Sequence, residues 1–198
     1  MEYLGLPYET KSYEYDAMTE WFEEDKPKLG ADFPNIPYLK NGDFVFCQSV
    51  AILKYLGRKG VLYPALESPE EMAQLEALID TVLDVRMGFA FLCYGDGFET
   101  KKIDFMDRVP KKLASFDKRL STRKWLNGEN LFIGDFQFWS TLDFMECMEP
   151  KMYENLPNLV RYKKDFEAIP QVAKYLASDK FKKFPINGKI AAWGGNAE

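Results

Sequence analysis

The sequence predicts two parts of different class, a small mixed α/β unit over residues 1–60 followed by an all-helical domain over residues 68–198. Three observations carry this. Short β-rich runs surround an Asn41-Gly42 turn signal in the first part. Apolar residues recurring every three or four positions dominate the second. Between them Gly60, Pro64 and Ser68 fall in a stretch with little periodicity, which marks a boundary.

Within the first part, tyrosines and a threonine alternate with charged or polar residues over 8–15 and predict a strand. An acidic segment through Trp21 and Phe22 reads as a broken helix. Pro37 opens a short strand, and the Ile36-Pro37 bond is a candidate cis peptide. Because Asn and Gly tolerate positive φ, Asn41-Gly42 is expected to join 37–39 to 44–46 in antiparallel pairing. Residues 48–59 then predict a helix with Ile52, Leu53 and Leu56 on one side and Gly60 beyond its end.

The second part opens on Ser68-Pro69-Glu70-Glu71, which combines an N-cap serine, a proline at the first helical position and a glutamate three after the cap. Met72, Leu75, Leu78, Val82, Val85, Phe89 and Leu92 continue at helical spacing to Tyr94 and Gly95. A second long helix is expected over about 98–120 through Met106, Val109, Leu113 and Phe116, kinked at Pro110. Shorter helices follow Asp135, Pro157 and Pro170.

Composition narrows the function. A net charge of -5 argues against nucleic acid, and the lysine pairs lie scattered among acids. Histidine is absent, which removes Ser-His-Asp and Cys-His catalysis and every zinc motif that needs imidazole. Cys47, Cys93 and Cys147 form no Cys-x-x-Cys pair, so buried free thiols are expected. No basic, apolar leader opens the sequence and no run approaches the ~18 residues needed to span a bilayer, so a cytoplasmic protein without a membrane partner is expected.

The Phe33-Pro34-Asn35-Ile36-Pro37-Tyr38 stretch and the Gln48-Ser49 step together describe an anion-holding site made largely of backbone. A polar step opening the apolar run Val50, Ala51, Ile52, Leu53 puts unpaired N–H groups and a hydroxyl at a helix start. Helix-end attraction for a carboxylate is worth about 0.3–2 kcal/mol. The implied ligand is small, peptide-like and anionic. Each residue also has a plainer use: Pro37 can be purely structural, Gln48 and Ser49 can cap a helix, and Lys26 can be solvated.

With these motifs, the chain resembles the cytosolic glutathione S-transferases, and within them the mu class and its helminth-type members. The likeness is carried by Leu29-Gly30-Ala31-Asp32-Phe33-Pro34-Asn35, Leu83-Asp84-Val85-Arg86-Met87-Gly88 and Phe166-Glu167-Ala168-Ile169-Pro170-Gln171. The resemblance implies a thioredoxin-like first domain, a helical-bundle second domain and a homodimer that joins reduced glutathione to hydrophobic electrophiles, in detoxification. It implies no metal or redox cofactor, glutathione being a substrate. By the same resemblance Asn35, Ile36 and Pro37 pair with the cysteinyl part of glutathione, Gln48 and Ser49 hold its γ-glutamyl end, and Lys26 meets its glycine carboxylate. Trp21, or Phe22 in its place because one residue is inserted there, faces the same ligand. Asp84 reaches the γ-glutamyl amine from the neighbouring subunit, Tyr94 serves the electrophile site, and Phe33 plugs a pocket of the partner chain.

Two departures from the family pattern accompany it. The family's first strand, which carries the tyrosine that donates to the glutathione sulfur, and most of its first helix have no counterpart here. Met1-Glu2-Tyr3-Leu4-Gly5 matches that helix's end, so no catalytic side chain is assigned and a loosened first domain is expected. A catalytically weak or silent carrier or structural protein is therefore the alternative. The second departure is Phe132, which stands where the family places a helix-capping threonine or serine ahead of Asp135. A lost cap costs ~0.5–2 kcal/mol, so Phe132→Thr is expected to raise the melting temperature.

Overall fold

The computed structural model describes residues 1–13, 18–65 and 68–195. The chain divides into two compact units, with the division between Pro64 and Ala65.

In the first unit, β1 (Tyr38–Asn41) pairs antiparallel with β2 (Phe44–Cys47) in the register Tyr38↔Cys47 to Asn41↔Phe44. The connection is Gly42-Asp43, one residue later than expected, with Gly42 at φ 63°. A two-residue hairpin turn needs positive φ at its first central position, and glycine adopts it without a Cβ clash. The strand begins at Tyr38 rather than Pro37, since proline has no N–H for the ladder.

Residues 8–13 of the expected 8–15 strand form none, and residues 14 and 15 lie outside the described residues. Their polar side chains are used differently. Lys11 Nζ lies 2.5 Å from Asp25 Oδ2 and 2.7 Å from Glu20 Oε1, and the Tyr13 hydroxyl donates to Asp25 Oδ2 at 2.7 Å. The Lys11 ammonium, aided by the Tyr13 hydroxyl, holds the Asp25 carboxyl below its usual range. These contacts fasten the segment to a π-helical turn, Glu20–Asp25, which runs on into α1 (Lys26–Lys28).

The helix α2 (Ser49–Lys59) ends in a Schellman-type closure, with Leu62 N–H donating to Gly57 C=O at 2.9 Å. Its left-handed position is taken by Val61 at φ 58°, not by Gly60. A Cβ at Gly60 would lie 2.4 Å from the Leu4 methyl groups, so a larger residue there would require that side chain to move.

The second unit packs α3 (Pro69–Tyr94) against α4 (Phe98–Leu120) and α5 (Ile133–Met148), with α6 (Pro157–Glu167) on α4 and α7 (Pro170–Leu176) on α6. Ser68 caps α3 by accepting from Glu71 N–H at 3.1 Å. Leu75, Leu78, Val82, Val85, Phe89 and Leu92 are buried, as their spacing predicts. Pro110 lies inside α4, which is helical without a break from Phe98 to Leu120. Phe116 and Phe138 stack at 4.4 Å between centroids and join α4 to α5. No helix of the described residues is long and apolar enough to cross a membrane.

At the start of α5 the Phe132 side chain makes no capping bond, as expected, and other groups take up the helix-start donors. Asp135 Oδ2 accepts from Phe132 N–H at 2.9 Å and Oδ1 from Leu126 N–H at 3.0 Å, while Asp135 N–H donates back to Phe132 C=O at 3.0 Å. The donor that a threonine would have satisfied is therefore already paired. The Phe132 ring is buried and lies over Gly134, where a Cβ would meet its Cζ at 2.2 Å. Removing a buried phenylalanine side chain costs about 3–5 kcal/mol on truncation to alanine, more than the ~0.5–2 kcal/mol a cap restores. Phe132→Thr is thus expected to lower stability by about 1–3 kcal/mol, measured by urea denaturation, and an unchanged or raised midpoint would contradict this packing.

Asp135 also predicts a pH dependence. Burial pushes its carboxyl up to about 7, against the two backbone N–H donors and the Tyr162 hydroxyl, which pull it down. With the folded value above the usual 3.8, the contribution to stability is complete below about pH 4 and is lost as pH rises through 7. Wild type should therefore lose stability relative to Asp135→Asn across this window, by up to about 1.4 kcal/mol per pH unit. A difference that is flat or rises with pH would refute it.

Candidate functional site

Because Tyr38 faces Cys47, Pro37 and Gln48 leave the hairpin at the same end. The two sequence motifs thus meet at one corner of the first unit. The Ile36–Pro37 peptide is cis. Asn35 N–H donates to Cys47 Sγ at 3.2 Å and ties the loop to the corner. Among the described residues the Ile36 backbone makes no hydrogen bond, so an N–H and a C=O are left for a ligand.

Gln48 holds φ 81° and ψ 111°, a conformation rare for a residue with a Cβ, and its side chain makes no capping bond to α2. Such strain costs on the order of 1–3 kcal/mol and persists where the surroundings impose it. Gln48 and Ser49 are exposed, and the capping role that competed with ligand binding is not exercised by Gln48. The first N–H groups of α2 thus remain for an anion.

Trp21 lies in the interior of the first unit. It is 2% exposed, stacked on Tyr38 at 6.0 Å with rings 11° apart, and it lies 5.3 Å from Tyr13. Its ring is core. Phe22 is 56% exposed, with Lys26 Nζ 5.5 Å from its ring centroid. The π-turn, closed by Lys26 N–H to Trp21 C=O, holds one more residue than an α-turn. Lys26 has no carboxylate partner among the described residues.

In the second unit Asp84 is exposed on α3. The buried positions Val82 and Val85 face the core, and Asp84 falls on the other side of the helix. Met87, Phe91 and Tyr94 share that outer side, and Phe89 is buried. Tyr94 Oη accepts from Gly188 N–H at 2.7 Å, Ala192 N–H donates to Cys93 C=O at 2.8 Å, and Trp193 packs edge-on to Phe89 at 5.8 Å. Sequence reasoning missed this C-terminal segment, for which an isolated Trp193 was the sole signal. Phe33, ahead of β1 in the first unit, is 82% exposed. A cleft of about 540 Å³ in the second unit is lined by Leu75, Ala77, Leu78, Thr81, Arg119 and Asn127.

Family models match both units of the chain. The model described as the glutathione S-transferase N-terminal domain matches residues 1–58, and that for the glutathione S-transferase C-terminal domain matches residues 83–179. The class-mu 26 kDa isozyme of Schistosoma japonicum is 38% identical over 195 residues, covering 98% of this chain and 88% of the relative. Glutathione S-transferase Mu 1 of Bos taurus is 37% identical over 200 residues, covering 98% and 90%. The crystal structure of the glutathione S-transferase Blo t 8 superposes with a TM-score of 0.88 at 27% identity, over 98% of this chain and 91% of that one. The chain belongs to the glutathione S-transferase family. Its likeness is to mu-class members, helminth ones among them.

The strain at Gln48 can be measured. Gln48→Gly is expected to raise unfolding stability by up to about 2 kcal/mol, the relief of ~1–3 kcal/mol of strain less the ~0.5–1 kcal/mol of extra backbone freedom that glycine loses on folding. A fall in the denaturation midpoint would show that the side chain, not the backbone, governs this corner.

Proposed function

We infer that the chain conjugates reduced glutathione to hydrophobic electrophiles, as a cytoplasmic homodimer that needs no metal or redox cofactor. The observation that carries this is the hairpin corner, where an unpaired Ile36 peptide lies beside the uncapped start of α2. A tripeptide with carboxylates at both ends fits such a corner. The Ile36 N–H and C=O pair with the cysteinyl peptide, aided by Asn35 and Pro37. The Ser49 hydroxyl, Gln48 and the α2 N–H groups hold the γ-glutamyl carboxylate. Lys26 meets the glycine carboxylate, with Phe22 beside it in the role first considered for Trp21. The glutathione thiol gives its proton to solvent, and the thiolate sulfur attacks an electrophilic carbon. In aromatic substitution a C–S bond forms and halide leaves with its electron pair.

Met87, Phe91 and Tyr94 offer an apolar surface with one hydroxyl for the electrophile. A second copy of the chain accounts for two further features. Phe33 is a large, almost fully exposed ring, and the cleft of the second unit, where Leu75, Ala77 and Leu78 lie among Glu71, Gln74, Thr81, Arg119 and Asn127, has the volume to receive it. Asp84, exposed and unpaired among the described residues, is available to the γ-glutamyl amine of such a partner. The same apolar face supports a second reading, carriage of hydrophobic ligands without turnover.

Calorimetry with reduced glutathione, paired with turnover of a chromogenic aryl halide, separates these readings. Binding with turnover by a species that sediments as a dimer is the expected result, and binding alone would select the carrier. Ser49→Ala should weaken glutathione about tenfold or more, because it removes a hydrogen bond to a charged group. No heat of binding in wild type would remove the reading altogether.

A further inference from the structure

We propose that Cys47 is a positioning residue, the thiol that fixes the glutathione-pairing peptide against the anion-holding corner. The proposal rests on the glutathione-binding reading above and assigns a part to a residue that composition alone treats as an ordinary buried thiol. Cys47 ends β2, is 8% exposed, and stands opposite Tyr38 in the ladder. Its Sγ accepts the Asn35 N–H at 3.2 Å, and its own carbonyl leads directly into Gln48, the strained residue that aims the start of α2. One residue therefore joins both halves of the site. One half is held covalently through the next peptide, the other through a single hydrogen bond.

The division of donors along the loop makes this bond matter. Asn35 N–H is taken up by the thiol, while the groups of the next residue, Ile36, stay unpaired among the described residues. Were the thiol unable to accept, the buried side of the loop would lose its tether. The Ile36 peptide would then have to be ordered when the ligand binds, which lowers affinity. Cys47 touches neither the reacting sulfur nor the electrophile in this scheme. Its effect is on glutathione binding, with little on the chemical step.

Valine keeps the bulk of cysteine without an acceptor, and serine keeps an acceptor with less bulk. In Cys47→Val the dissociation constant for reduced glutathione should rise about three- to tenfold, the range for one lost net hydrogen bond, with kcat at saturating glutathione within about twofold. Cys47→Ser should return the dissociation constant to within about twofold of wild type. The Asn35 amide resonance should move in the valine variant and stay near its wild-type position in the serine variant. Equal glutathione affinity in wild type and valine variant, or equal weakening by valine and serine, would overturn the assignment. If the valine protein does not fold, Cys47→Ala replaces it: alanine weaker than serine supports the tether, and equality refutes it. Wild-type protein that binds no glutathione would instead mark failure of the underlying reading, and the proposal would fall with it.

Discussion

The pairing of Tyr38 with Cys47 is the constraint from which the first unit follows. A side chain in a strand alternates faces, so a slip of one residue would send every apolar group to the wrong side and separate Pro37 from Gln48. Two-stranded hairpins are marginal by themselves, and this one is held from both ends. Phe44 and Phe46 pack on each other at 5.1 Å and on Tyr55 of α2 at 5.8 and 5.3 Å. Tyr38 stacks on Trp21 and shares a hydroxyl contact with Tyr13, which holds Asp25 of the π-turn. The ring expected to face a ligand thus serves to anchor the element that carries Lys26.

The helical unit solves a different problem, that of helix starts with no local cap. Asp135 closes α5 from inside the helix and also holds the Leu126 N–H, while Tyr162 of α6 donates to its carboxylate at 3.2 Å. Asp117 of α4 caps α6 from a distance, accepting from Asn158 N–H at 2.7 Å and Leu159 N–H at 3.0 Å. Lys163 of α6 reaches Asp143 and Glu146 of α5 and its own neighbour Glu167, which also accepts from Trp139 Nε1 at 3.0 Å. A lysine among three carboxylates is held charged, and its nearly buried stem keeps the pairing out of competing water. Burying these groups requires their mutual satisfaction, so α4, α5 and α6 are fastened to one another by polar groups as well as by the Phe116–Phe138 stack.

What the sequence made legible was whatever depends on local spacing. The hairpin, the long helix α3 with its Ser68 cap, and the meeting of Pro37 with Gln48 all rest on neighbours within a few positions. Distant partners were not legible. Nothing near Asn158 announces that its cap is Asp117, and nothing near Tyr8 shows that the alternating residues serve Asp25 and Glu20 instead of a ladder. Phe132 misled for a related reason: a missing cap shows in the sequence, but the ring's burial over Gly134 and the return bond from Asp135 do not. Cys47 gave no signal at all, since its partner is a backbone N–H twelve residues away.

A site built from main-chain groups couples occupancy to folding more closely than one built from side chains. Strain at Gln48 of order 1–3 kcal/mol is a large share of the ~5–15 kcal/mol that holds a typical domain. The two-stranded sheet that imposes it has little surplus. Under the proposed function, a ligand at a hundred times its dissociation constant adds about 2.7 kcal/mol to the folded state, which is comparable to that strain. The groups that grip the ligand are the same groups that define the corner, so whatever loosens the hairpin weakens binding and whatever fills the corner tightens the hairpin. Chemistry at the sulfur stands outside this coupling. Loss of one preorganised donor typically slows turnover by ~10²–10³ without touching the backbone that binds, so affinity for glutathione and rate of conjugation are separable quantities in this fold.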